Sequence, residues 1–144
     1  MPLLNFKTRF VPFILTGAKT HTIRATRVRP TKPGDVLHLY TGLRHKGARL
    51  LFRAVCTHVN DIQIRQTRSG CFASLKDVEI SIDGEILDPS EMELLAQRDG
   101  FASLVEMMRF WQEPKNRLPF HGQIINWKFP PLEADSEANP VETP

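Results

Sequence analysis

Several short runs of alternating apolar and polar residues, closed by Gly, Pro or Asn-Asp, constrain this chain more than any other feature. Asp35 to Tyr40 sets Val36, His38 and Tyr40 against Leu37 and Leu39, the period-two pattern of a half-buried strand. Arg49 to His58 reads as a long strand, with a bend at Asn60-Asp61 and a continuation through Ile62-Gln63-Ile64-Arg65. Ile80 and Ile82, Asp83-Gly84 and Ile86 spell a two-residue hairpin within Val78 to Leu87. Leu3 to Lys7, with Leu4 and Phe6 facing one way, predicts a first strand, and Gln123 to Phe129 a last one. Strands this short, punctuated this often, favour a barrel over a helical bundle.

Three helices interrupt them. Phe10, Phe13, Ile14 and Leu15 recur at helical spacing, and Gly17 follows where a C-cap wants a residue tolerant of positive φ. Asp88-Pro89-Ser90-Glu91 combines an N-cap, a Pro at the first helical position and a Glu three residues after the cap, predicting a helix that stops near Gly100. Ser103 and Glu106 form a second such box, opening a helix whose Leu104, Met107, Met108 and Trp111 make a core-facing stripe. The class is therefore α+β.

The stretch Gly17-Ala18-Lys19-Thr20-His21-Thr22-Ile23-Arg24 joins the first helix to a β-favouring segment, so it turns a corner. Corners can present side chains into a pocket. A lysine tucked near apolar surface there can lose its proton near neutral pH and serve as a base. On spacing alone, the favoured readings are a solvated loop lysine for Lys19, a strand filler for Thr22 and a turn residue before Gly100 for Asp99.

Charge is unevenly spread. Residues 1–68 hold 13 Lys and Arg against Asp35 and Asp61, a balance of +11, whereas residues 69–144 hold six against 14 acidic residues, a balance of −8. The first half is a candidate anion-binding surface for RNA phosphates, unless the two halves pair their charges across the fold. The chain lacks an apolar run of about 18 residues, so no membrane span is expected. Met1 to Lys7 lacks the pattern of an export signal. Cys56 and Cys71 are widely spaced and read as reduced thiols, which places the protein in the cytoplasm. His21, His38, His45, His58 and His121 form no ligand set with Cys or Asp, so no metal and no cofactor is expected. Residues 1–129 form one domain, and residues 130–144 are an acidic, Pro-rich tail expected to be disordered.

The pattern Phe6-x-x-Arg9-Phe10-x-x-x-Ile14-Leu15-x-Gly17-x-Lys19-Thr20-x-Thr22-Ile23-Arg24, followed by Pro33-Gly34-Asp35, resembles the ASCH domain family. The run Ala96 to Leu104 and the strand Gln123 to Trp127 agree with it. The resemblance implies a PUA-like mixed β-barrel with flanking helices. One branch of that family removes the acyl group from N4-acetylcytidine with a Thr-Lys-Glu constellation. Its Lys and Thr fall on Lys19 and Thr22, and its Glu on Asp99, a carboxylate one methylene shorter. The implied activity is metal-free amide hydrolysis of a small nucleoside. Lys19 then acts either as a base toward Thr22 or as a charged oxyanion donor while Thr22 or Asp99 activates a water. Candidates for holding the substrate are Arg24, whose guanidinium offers a fork of donors, together with Phe6 and Arg9. The rival reading is an RNA-binding module, with or without ribonuclease activity.

Overall fold

The computed structural model describes residues 3–43, 46–66, 78–111 and 118–132. Arg44 and His45 of the basic loop, residues 67–70 of the polar loop, Cys71, and the tail from residue 133 lie outside the described residues. The elements are β1 (Leu3–Phe6), a 3-10 turn (Thr8–Phe10), α1 (Val11–Thr16), β2 (His21–Ala25), β3 (Val36–Thr41), β4 (Arg49–Gln66), β5 (Val78–Ile82), β6 (Glu85–Ile86), α2 (Pro89–Arg98), α3 (Leu104–Trp111) and β7 (Phe120–Trp127). The strand path runs β1-β3-β4-β5-β6, with β7 paired to β4 and to β2. Among the described residues this path does not close on itself. The α+β class is as expected, while barrel closure is not part of these pairings. No described helix is long and apolar enough to cross a membrane.

The chain forms two compact units that interleave in sequence: Met1–Thr20, Pro30–Val59 and Ile125–Pro144 make the first, His21–Arg29 and Asn60–Ile124 the second.

In the first unit, β1 runs parallel to β3, pairing Leu3 with His38 and Phe6 with Thr41, and β3 runs antiparallel to the start of β4. Alternation holds only in part: Leu37 and Leu39 are fully buried and Val36 on the other face is exposed, but His38, on the same face as Val36, is buried as well. Phe6 meets Trp127 edge to face, with ring centres 6.0 Å apart. Helix α1 departs from its expected face. Phe10, Val11 and Ile14 are buried, but Phe13 and Leu15 are exposed. At about 100° per residue, Phe10 and Val11 flank Ile14, whereas Phe13 and Leu15 fall roughly 100° to either side of Ile14, outside that arc. Gly17 caps α1 at φ 83°, and a Cβ there would sit 2.7 Å from the Phe129 ring. That cap turns the chain so that the Lys19 amide donates to the Phe13 carbonyl at 2.9 Å.

In the second unit, the end of β4 pairs antiparallel with β5, and β5 with β6 through the Asp83-Gly84 turn. Asp83 and Gly84 adopt φ 52° and 86°, the left-handed pair that a tight hairpin requires. The expected bend at Asn60-Asp61 does not interrupt β4, which is one strand of 18 residues. The Asp83 carboxylate accepts from the Asn60 side chain and from the Asp61 amide, each at 2.8 Å. These bonds satisfy the polar pair where it stands. Helix α2 opens with the full reciprocal box: Asp88 accepts from the Glu91 amide and Glu91 from the Asp88 amide. At α3 the Glu106 amide donates to Ser103 Oγ at 3.2 Å, but the Glu106 carboxylate accepts from Ala102 N. Leu104, Met107, Met108 and Trp111 are buried as expected, with Trp111 4.4 Å from Phe120 between ring centres.

Candidate functional site

Lysine, aspartate and histidine are seldom buried without a reason, because withdrawing a charge or polar group from water costs energy that only specific partners offset. Among the described residues the buried polar side chains are Lys19, His21, Thr22, Thr31, His38 and Asp99. Four of these six come from one stretch of four residues and the acid paired with it by resemblance. The solvated-lysine reading of Lys19 is thereby overturned, since only 3% of its surface is exposed.

In the first unit, Lys19 follows the left-handed turn at Gly17, and its Nζ lies 5.1 Å from the centre of the Phe10 ring. Arg9 is exposed, with its guanidinium carbon 5.0 Å from the same ring. Such a distance suits a cation over an aromatic face. Phe6 is buried against Trp127.

In the second unit, β2 carries three residues of interest. Strand alternation puts Thr22 and Arg24 on one face and His21 on the other. Arg24 Nε donates to Thr22 Oγ1 at 3.0 Å. The Arg24 guanidinium is pushed down to about 10, first by burial and then by the like charge of Arg27, while Asp99 acts in the opposite sense. Gly122 on the paired strand β7 lets the two backbones approach, because a Cβ there would run into the Arg24 carbonyl oxygen.

Asp99 stands at the C-terminus of α2 and is held by the backbone. Its amide donates to Leu95 O, the Gly100 amide to Gln97 O, and the Phe101 amide to Ala96 O. With Gly100 at φ 99°, these bonds make a Schellman cap that fixes where the Asp99 side chain starts. The position is unfavourable twice over: a carboxylate here faces the negative end of the helix dipole, and only 7% of the residue is exposed. Its Oδ1 lies 3.3 Å from His21 Nε2. That contact is close, yet it is not aligned as a hydrogen bond, and His21 Nε2 is buried without a partner.

Thr22, Arg24 and Asp99 all belong to the second unit, where Arg24 feels the charge of Asp99 and His21, a residue the sequence did not single out, lies beside the Asp99 carboxylate. His21 was passed over because no ligand set surrounds it; its place between Lys19 and Thr22 was the available signal. No three His, Cys, Asp or Glu come together among the described residues to hold a metal ion.

Compared with protein-family models, curated proteins and solved structures, the chain gives no match.

Proposed function

We propose that this protein is a cytoplasmic amidohydrolase of the ASCH type, built on a PUA-like scaffold, that converts N4-acetylcytidine and related N4-acylcytosine nucleosides to cytidine and a carboxylate. What supports this reading is that Lys19, Thr22 and Asp99, the three polar residues named by the resemblance, are each buried, exposed by only 3%, 5% and 7%.

The chemistry follows from their types. Thr22 Oγ1 attacks the acyl carbon and gives its proton to Lys19, a role that desolvation of a lysine favours. The hydrogen bond from Arg24 Nε eases the growth of negative charge on Oγ1. The proton passes by way of Asp99 to N4 as the C–N bond breaks, leaving the acyl group as an ester on Thr22. Water then hydrolyses that ester, releasing the carboxylate and restoring the hydroxyl. Only three residues of chain lead from Lys19 to Thr22, so covalent geometry alone keeps their Cα atoms within about 11 Å.

The test is direct. Incubation with N4-acetylcytidine, followed by chromatography, is expected to give equal amounts of cytidine and acetate, with or without a chelator. Lys19→Ala is expected to abolish release while leaving the far-UV circular dichroism unchanged. Normal turnover by Lys19→Ala, or none by the wild type, sinks the proposal.

A second reading rests on Arg27 and Arg29, both exposed in the stretch that follows β2. In it the protein holds RNA through phosphate contacts, and the affinity for a labelled oligoribonucleotide falls steeply from low to moderate salt. Binding that ignores salt, or cleavage of the labelled strand, counts against a pure binding module.

A further inference from the structure

We propose that His21 is the positioning residue of Asp99: a buried imidazole whose Nε2–H closes onto Asp99 Oδ1 when substrate binds and sets the direction in which the carboxylate works. This rests on the amidohydrolase reading for the identity of the reaction, but not for the contact itself.

Three observations lead there. His21 Nε2 is 3.3 Å from Asp99 Oδ1 and has no hydrogen-bond partner, although the ring is buried. A carboxylate oxygen only accepts, so the tautomer with its hydrogen on Nε2 is the one this neighbour favours. An unmade hydrogen bond between two buried groups leaves free energy unrealised, and a small rotation of either side chain recovers it. Catalytic hydrogen bonds are often long or poorly aligned before the substrate arrives and tighten afterwards. Nε2 is shielded from solvent, which fits a residue working from behind Asp99 rather than one touching substrate.

The arrangement also explains how a shorter acid serves. Asp99 has one rotatable bond fewer than a glutamate, so its carboxylate is steered by whatever flanks it. Its backbone is fixed by the Schellman cap, and His21 approaches from β2. Arg24, the other charged group on β2 that feels Asp99, draws the carboxylate by charge. The imidazole adds a directional donor, which a charge at a distance does not supply.

Two variants separate positioning from packing. His21→Phe keeps a ring and loses the donor, whereas His21→Gln keeps an N–H near the place of Nε2. With N4-acetylcytidine, His21→Phe is expected to lower kcat about 10- to 100-fold with KM changed less than about threefold. His21→Gln is expected to recover most of that loss. In protein labelled with 15N-histidine, the His21 Nε2 resonance of the wild type is expected to sit at a protonated-nitrogen shift and to move in Asp99→Asn. Unchanged kcat in His21→Phe, equal loss in both variants, or an Nε2 signal indifferent to Asp99→Asn overturns the assignment. If the wild type hydrolyses nothing but the Nε2 signal responds to Asp99→Asn, the contact stands and the amidohydrolase reading is what fails.

Discussion

Arg24 donates to the hydroxyl of Thr22 across one face of β2, Nε to Oγ1 at 3.0 Å. This bond points the oxygen lone pair at a cation and leaves the hydroxyl hydrogen to be given away.

Thr22→Val keeps the shape of the side chain, removes the hydroxyl and strands Arg24 Nε; turnover of N4-acetylcytidine is expected to fall by more than about a thousandfold. Thr22→Ser is expected to stay within about tenfold of wild type. Arg24→Met leaves the hydroxyl but removes its donor, and kcat is expected to drop about 10- to 100-fold. Steady-state kinetics on the three variants rank these effects; activity retained in Thr22→Val removes Thr22 from the chemistry.

Gly100 holds the position of Asp99. At φ 99° it occupies the left-handed region, where a Cβ costs about 1–2 kcal/mol. Gly100→Ala is expected to lower stability by about that amount in urea unfolding, and to reduce kcat beyond what the loss of folded protein explains. A stability loss with kcat untouched shows that the cap supports the helix and not the acid.

Asp88 gives a pH signature well away from the site. Its carboxyl is held below the ordinary range chiefly by the Glu91 amide, with help from the Ser90 hydroxyl. A carboxyl depressed in the folded state contributes stability above its unfolded value, near about 3.9, and loses it as pH falls through the folded value. Melting temperature measured from pH 6 downward is therefore expected to separate wild type from Asp88→Ala at the upper end. The two curves are expected to converge below about pH 4; a gap that persists in stronger acid excludes the capping carboxylate as its source.

Much of the secondary structure was legible because local chemistry decided it. The Asp88 box, the Gly17 cap, the Asp83-Gly84 hairpin and the alternation around Leu37 and Leu39 each follow from bonds or clashes within a few residues. Misreadings arose where a distant partner decided. The last strand was expected to run from Gln123 to Phe129. It begins at Phe120 and ends at Trp127, because a close neighbour, Arg24, makes glycine the residue that fits inside it. Asn60-Asp61 reads as a bend until the Asp83 carboxylate, more than twenty residues later, satisfies it. At the site, the resemblance pointed to Lys19, Thr22 and Asp99, and spacing alone did not. His21 escaped notice because its relation to Asp99 spans 78 positions of chain and leaves no local pattern.

The interleaving of the two units bears on how the molecule is made. Every segment of the second ends by Ile124, while the first still lacks the strand end that carries Ile125 and Trp127. On a ribosome the body containing Thr22 and Asp99 has all its parts in hand first, and the one that starts at the N-terminus waits longest. From this division the usual order of maturation, N-terminal portion before C-terminal, is expected to be reversed. A nascent chain halted near residue 124 is left holding Leu4, Leu37 and Phe52 without the end of β7 from Ile125 to Trp127, and is the species a chaperone would meet.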